Sequence, residues 1–157
     1  MNEKGIEMIV RSVIDSLQYK MNLELARKLI KKVEEKASEM GEKAVVAVSN
    51  EGANPVAIEC MDDSYIASYD IAINKAYTSV ALKMPTKTLK TLSQPNGELY
   101  GIQFTNKGKI VIFGGGVPLK VNGKIIGGLG VSGGSEEEDT YLADYGEKAF
   151  FEILKTR

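Results

Sequence analysis

The sequence predicts an α+β domain in which a central antiparallel β-sheet is flanked by helices. Two turn signals indicate antiparallel pairing, because the segments NEGAN at 50–54 and VNGK at 121–124 each lie between short runs rich in β-branched residues. Longer segments with apolar residues at helical spacing occur before, between and after these hairpins. This order favours a mainly antiparallel sheet that is covered by helices.

The predicted elements follow one another along the chain. An amphipathic helix covers residues 1–18, and a short joint leads to a second helix that runs from the candidate N-cap Asn22 to a stop at Gly41. Strands over 44–49 and 55–60 form the first hairpin. The rest comprises a helix over 64–82 with Ser64 as its cap, a short helix over 86–92, strands near 100–104 and 109–113, a second hairpin with arms 113–118 and 124–131, and a last helix over 139–154.

Composition limits the classes of function. The 157 residues, 43% of them hydrophobic, suffice for one well-cored domain, and the net charge of −1 predicts no nucleic-acid or anionic-membrane partner. The chain has no histidine, which excludes Ser-His-Asp and Cys-His catalysis, imidazole zinc sites and a histidine-ligated haem. Its one cysteine, Cys60, excludes an internal disulfide and fits a reducing cytoplasm. No apolar run approaches the length of a membrane span or a signal peptide, and we expect a cytoplasmic protein with no metal site.

Two glycine clusters flank the second hairpin. GGG at 114–116 and SGGS at 132–135 can lie at the same end of one sheet, where glycine lets a ligand or another backbone come close. Ser135 and Glu138 have the spacing of a capping box, so the start of the last helix satisfies its own donors. We reject a dinucleotide fingerprint at Gly128, Gly130 and Gly133, because it follows a hairpin and precedes four acidic residues that would repel a pyrophosphate.

The candidate ligand site combines these clusters with two charged residues of the helix over 64–82. The clusters either line a pocket or serve only tight turns and helix entry. Asp70 is either a polar pocket residue or a buried hydrogen-bonding or capping group, and Lys75 either presents its cation to a propionate or carboxylate or extends from an apolar face. The predicted ligand-binding residues are Asp70, Lys75, Gly114, Gly115, Gly116, Pro118, Ser132, Gly133, Gly134 and Ser135.

Three other residues are weaker candidates for a cation site, acid–base catalysis or a reactive thiol. Glu138 and Asp139 could serve a hard cation or act as acid and base, but the capping box already employs Glu138. Cys60 is either a reactive thiol or, as is commoner at a strand end, a buried small side chain.

Residues 1–18 form a separate unit ahead of a domain that covers 19–157. One helix face is apolar, while Glu3, Glu7, Arg11 and Asp15 lie among the polar positions. Such a face either docks on a partner or packs on the chain's own domain or oligomer. The predicted partner-binding residues are Ile6, Ile9, Val10, Val13, Ile14 and Leu17.

Short motifs occur in a fixed order between residues 23 and 150. They are AVVAV at 44–48 with NEG at 50–52, MD at 61–62, SYDIA at 68–72 with KAYT at 75–78, FGGGVP at 113–118, and GVSGG at 130–134 with ED at 138–139. In this combination the chain resembles the GlcG/HbpS-like family, which includes the C-terminal domain of PduO proteins from propanediol-utilisation operons. The resemblance implies a central antiparallel sheet flanked by helices, a homo-oligomer and, in some members, haem binding.

The chain departs from this family in two ways. A histidine ligates haem in some PduO-type members, so haem or cobalamin here would need Met, Tyr, Lys, Cys60 or no protein ligand. Residues 1–18 precede the family domain and resemble the short helices that direct cargo into bacterial microcompartments, where shell or cargo proteins would be the partners.

We therefore expect an accessory domain that binds haem or a corrinoid in a microcompartment pathway such as diol utilisation. One alternative is an enzyme that acts on a small carbonyl or hydroxy acid, with Asp70 or Glu138 as acid and base and Lys75 as an electrostatic clamp. Another is a structural cargo protein with no ligand.

Overall fold

A computed structural model of the chain describes residues 2–156, except for the side chains of residues 15–18. The described elements are α1 (Glu3–Gln18), α2 (Leu23–Met40), β1 (Val45–Asn50), β2 (Pro55–Cys60), α3 (Ile66–Ala81), α4 (Thr86–Leu92), the 3-10 turns Ile102–Phe104 and Asn106–Gly108, β3 (Gly116–Val121), β4 (Lys124–Ser132) and α5 (Glu136–Lys155). The strands form one antiparallel sheet in the order β2-β1-β4-β3. The predicted α+β class is confirmed.

Local signals produce the ends of these elements. The Asn22 side chain accepts a hydrogen bond from the Leu25 amide at 2.9 Å, and Gly41 ends α2 with φ at 78°. Asn122 and Gly123 both have positive φ, as a type I′ turn between β3 and β4 requires. These predicted helix limits and hairpin turns are confirmed.

The sheet has packed helices on both faces. Successive residues of β1 point to opposite sides, so Val46 and Val48 join the core beneath α2 and α5, whereas Val45 and Ala47 pack towards α3. A Cβ atom at Gly130 would overlap the carbonyl oxygen of Ala72. The bare glycine backbone of β4 is what lets α3 lie directly on the sheet.

The predicted strands near 100–104 and 109–113 are wrong. Gly101, Asn106, Lys107 and Gly108 have φ between 51° and 87°, which is incompatible with an extended strand, and 3-10 turns form instead. Residues 109–113 run beside α3 rather than pairing in the sheet: the amide of Val111 donates to Thr78 Oγ1 at 3.0 Å. The first strand of the second hairpin therefore begins only at Gly116.

Two helix starts also differ from the prediction. Tyr65, rather than Ser64, precedes the first residue of α3, and its side chain makes no capping hydrogen bond. The last helix begins at Glu136, directly after its cap, instead of at Asp139. The capping box itself is confirmed, since Ser135 Oγ accepts from the Glu138 amide at 3.3 Å and the Ser135 amide donates to Glu138 at 2.7 Å.

Candidate functional site

A buried ion pair lies beneath the glycine-rich end of the sheet. Lys75, on α3, has no exposed surface, and its Nζ donates to Asp139 Oδ2 of α5 at 2.7 Å and to the carbonyl oxygen of Val131 on β4 at 2.8 Å. The ring of Phe113 covers the same ammonium with its centroid 5.0 Å from Nζ. The Lys75 cation is thereby surrounded by partners and ties α3, β4 and α5 together.

Burial and mutual pairing shift the pKa values of Lys75 and Asp139 in opposite directions. Burial lowers the pKa of Lys75 and raises the pKa of Asp139, while each partner's charge opposes the shift of the other. The geometry supports the ionised pair, because Asp139 also accepts hydrogen bonds from the backbone amides of Gly133 and Gly134. Asp139 is the carboxylate that a buried lysine requires.

Above this pair is a cavity of about 250 Å³. Its walls come from the first turns of α3, the Phe113 loop, the end of β4 and the first turn of α5. Two buried hydroxyls meet in this region, where Ser132 Oγ donates to Ser68 Oγ at 3.1 Å. The lining residues are Tyr65, Ala67, Ser68, Ile71, Phe113, Ser132, Gly133, Gly134, Glu136 and Asp139.

The two glycine clusters meet at this end of the sheet, as predicted. The Val131 amide donates to the Gly115 carbonyl at 2.8 Å, so the clusters lie side by side. Gly115 has φ at 113°, and a Cβ atom there would lie 2.6 Å from Lys75 Nζ. Gly114 donates to Glu136 Oε1 at 2.9 Å, and with the Lys90 ammonium, whose hydrogen bond is the larger effect, it lowers the pKa of Glu136.

The structure separates the predicted site residues into four groups. Ser132, Gly133 and Gly134 line the cavity, while Lys75 and Gly115 lie buried behind it. Ser135 caps α5, and Gly114 and Gly116 anchor their loop through Glu136 and through Thr86 Oγ1, the latter at 2.9 Å. Asp70 is exposed on α3 and Pro118 is buried within β3, and neither lines the cavity.

Besides Asp139, six residues of the cavity wall are absent from the predicted ligand-binding set: Tyr65, Ala67, Ser68, Ile71, Phe113 and Glu136. Sequence reasoning weighed Asp139 only as a cation or acid–base group. A lysine within an apolar helix face implies a buried carboxylate, so the sequence did indicate that Lys75 has such a partner. The sequence could not identify that partner as Asp139, which is 64 residues away.

Two other expectations concern the surface. Cys60 is exposed, so its interpretation as a buried side chain is wrong. Among the described residues, no group of three or more cysteine and acidic side chains is placed to hold a metal ion, and no helix is long and apolar enough to cross a membrane.

The apolar face of α1 is left open in the structure. The described members of the predicted partner-binding set are exposed by 47% to 53%, and the side chain of Leu17 lies outside the described residues. Among the described residues no helix or strand packs extensively on α1. The described part of α1 therefore makes no extensive contact with the chain's own domain. The exposed members of the set are Ile6, Ile9, Val10, Val13 and Ile14.

Comparison with known proteins places the domain in a family. The sequence model described as "Haem degrading protein HbpS-like" matches residues 21–147. An uncharacterized 15.0 kDa protein of the dhaT-dhaS intergenic region of Citrobacter freundii is 43% identical over 133 residues, which cover 85% of this chain and 94% of that protein. The corrinoid adenosyltransferase PduO of Salmonella typhimurium is 38% identical over 109 residues, 69% of this chain but only 32% of PduO. The chain thus spans about a third of the PduO adenosyltransferase.

Solved structures agree with this placement. The Klebsiella pneumoniae protein ORFY superposes with a TM-score of 0.82 at 39% identity, covering 83% of this chain and 90% of ORFY. A structure described as a PduOC:heme complex superposes with a TM-score of 0.80 at 34% identity, covering 83% of this chain and 95% of the other. The chain therefore belongs to the GlcG/HbpS-like family, in the group that includes the C-terminal domain of PduO.

Proposed function

We propose that this chain is an accessory domain that binds a tetrapyrrole, haem or a corrinoid, at the cavity above the Lys75–Asp139 pair, and that it serves a bacterial microcompartment pathway such as diol utilisation. The observation that carries the proposal is the similarity to the PduOC:heme complex, which extends over 83% of this chain. The relatives named PduO and the one encoded between dhaT and dhaS support the pathway.

The residues at the cavity fit a haem held without imidazole. Tyr65 lines the cavity and is 73% exposed, so its phenol oxygen is the available ligand type, and tyrosinate is an established axial ligand of haem iron. The volume of about 250 Å³ is below the roughly 300–1,000 Å³ of pockets that enclose drug-sized ligands. The cavity would therefore take one edge of the macrocycle and leave the rest on the exposed side chains of Tyr65 and Ile66.

The test is an absorbance titration of full-length, tag-free protein with hemin and, separately, with cobalamin. We expect saturable binding of one of them and, for hemin, a spectrum without imidazole ligation. Tyr65→Phe should weaken hemin binding or change the spin state, whereas Tyr141→Phe, an equally conservative change of a 51% exposed tyrosine on α5, should not. Absence of any spectral change with both compounds would overturn the proposal.

The enzyme alternative receives no comparable support. Its three residues have separate surroundings: Asp70 is exposed, Glu138 belongs to the capping box, and Lys75 is buried against Asp139. A general acid and base must reach the same substrate.

We also propose that the chain is a homo-oligomer. Large apolar side chains next to the cavity and in the 3-10 segment are exposed, with Ile66 at 96% and Phe104 at 83%. Exposed apolar surface of this kind is usual at sites of association. Light scattering at micromolar concentration should give a mass above the 17.1 kDa monomer, and a monomeric mass would contradict the proposal.

Finally, we propose that α1 directs the chain into microcompartments by docking its apolar face on a shell or cargo protein. An isolated helix of this length is marginal in water and gains order when it packs on a partner. Residues 1–18 fused to a fluorescent reporter should enter co-expressed microcompartments. Ile9→Glu together with Val13→Glu should release the reporter, and a diffuse wild-type fusion would refute this role.

A further inference from the structure

An open apolar groove follows α5 where α2 lies beside it. Its volume is about 520 Å³, and Lys32 of α2 borders it. The wall on α5 is one stripe with the spacing i, i+3, i+4, i+7, i+8 and i+11, which lies on a single helix face. The stripe consists of Tyr145, Lys148, Ala149, Glu152, Ile153 and Thr156.

The apolar face of α1 repeats this spacing. Its stripe begins at Ile6 and ends at Leu17, and its six positions are separated by the same five intervals. When the two stripes run parallel, Ile6, Val10 and Ile14 align with Tyr145, Ala149 and Ile153. The sequence therefore provides an apolar partner for each apolar group of the groove.

The connection between α1 and α2 selects the same direction. Only residues 19–22 separate the two helices, a joint of the length that forms helical hairpins. A hairpin makes α1 antiparallel to α2. Lys36 lies over the Tyr145 ring at 5.6 Å, and the earlier residue Lys32 borders the groove, whose α5 wall continues from Tyr145 towards Thr156. Earlier residues of α2 therefore lie beside later residues of α5, so that the two helices are antiparallel. Folding back at the joint thus brings α1 parallel to α5.

Charges agree with the parallel arrangement. Glu7 and Arg11 lie one turn apart on one flank of the apolar face of α1. Lys148 and Glu152 lie one turn apart on the groove wall. In the parallel register Glu7 comes near Lys148 and Arg11 near Glu152, so each charge meets the opposite sign.

From these matches we infer that α1 is an autoinhibitory strap, which closes on the α2–α5 groove of its own chain and thereby hides the face that docks on microcompartment partners. The structure shows the open position. The autoinhibitory effect rests on the docking role proposed above for α1, whereas the closure of α1 on the groove does not depend on that role. Both α1 and the groove wall from Lys148 to Thr156 lie outside the family match at 21–147.

The test of closure is disulfide trapping in a full-length chain with Cys60→Ser. Val10→Cys combined with Ala149→Cys should oxidise readily to an internal disulfide, seen as the loss of two free thiols without a doubling of mass. Val10→Cys combined with Tyr141→Cys is the matched control, because Tyr141 is on α5 outside the groove, and it should stay reduced. Equal oxidation of the two pairs would overturn the inference.

Two further experiments test whether the trapped disulfide reports closure within one chain: charge reversal across the groove, and mixing of chains that carry one cysteine each. Glu7→Lys should reduce trapping of the Val10–Ala149 pair, and adding Lys148→Glu to the same chain should restore it. A mixture of chains that carry only Val10→Cys with chains that carry only Ala149→Cys should give no covalent dimer. A dimer would show that the groove receives α1 from a second copy, and this would refute an internal strap.

The regulatory consequence has its own measurement. Lys148→Glu leaves the sequence of α1 intact but weakens closure, so the full chain should enter microcompartments to a greater extent than the wild type. No increase, where wild-type recruitment is measurable, would overturn the autoinhibition. If the wild-type chain and the reporter fusion both fail to enter, the packaging proposal is wrong, whereas disulfide trapping still decides whether α1 closes.

Discussion

Removing the amine of Lys75 should be among the most destabilising single changes in this domain. Lys75→Met keeps an unbranched, buried side chain but removes the cation that pairs with Asp139. The Asp139 side chain is only 5% exposed, so its carboxylate would be left buried and unpaired. Breaking a buried pair from one side costs about 3–5 kcal/mol. Since domains of this size lose roughly 2–4 °C in Tm per kcal/mol, the melting temperature should fall by roughly 6–20 °C.

The assay is thermal and urea unfolding followed by circular dichroism. Lys87→Met is the matched control, because Lys87 is paired with Asp144 at the same 2.7 Å while both side chains are over a third exposed. Solvent screens such a pair, and its loss should cost less than about 1 kcal/mol.

A double variant separates the charge from the packing. Lys75→Met with Asp139→Asn removes both charges, yet the amide oxygen can still accept from the Gly134 N–H. It should recover much of the stability lost in Lys75→Met alone. If Lys75→Met were no more destabilising than Lys87→Met, the buried pair would not hold α3 to α5 and this reasoning would be refuted.

Three smaller perturbations test other parts of the structure. Gly130→Ala should destabilise the fold by about 1–3 kcal/mol in urea unfolding, because its methyl group would overlap the carbonyl of Ala72. Lys90 and a backbone amide lower the pKa of Glu136 from its ordinary value of 4.5. Ionised Glu136 should therefore stabilise the fold above pH 4.5, and this stabilisation should be lost as the pH falls through the lowered pKa. Glu136→Gln should flatten the acid limb of the stability curve, whereas exposed Glu98→Gln should not. Asn22→Ala should cost about 1 kcal/mol through loss of the α2 cap, as measured by the urea midpoint.

The parts of the fold that were predictable depend on neighbours in the sequence. Helix α2 is delimited by its own cap and its own glycine, and the second hairpin is defined by the Asn-Gly turn at 122–123. The segment at 100–113 has the composition of strands, but Thr78 binds Val111 from a helix 33 residues away. Competition from such a distant partner leaves no periodic signal in the segment itself.

The candidate site was predictable to the same degree and for the same reason. The glycine clusters are local features, and their meeting at one end of the sheet follows from the hairpin between them. The other walls come from α3 and α5, whose approach depends on packing across the sheet. Tyr65 and Phe113 thus line the cavity because of tertiary contacts, which the spacing of residues in the sequence does not predict.

The glycines of β4 connect the packing of the domain to its site. Gly128 and Gly130 serve helix packing, because a Cβ atom at either would meet backbone oxygens of α3. This close approach lets the Lys75 side chain reach both β4 and α5 from α3. The buried pair then fixes the first turn of α5 beneath the cavity, so the inner wall is rigid, while Tyr65 and Ile66 at its mouth are exposed. Ligand specificity should therefore reside in the exposed rim on α3, where side chains can change without disturbing the contacts that hold the three elements together.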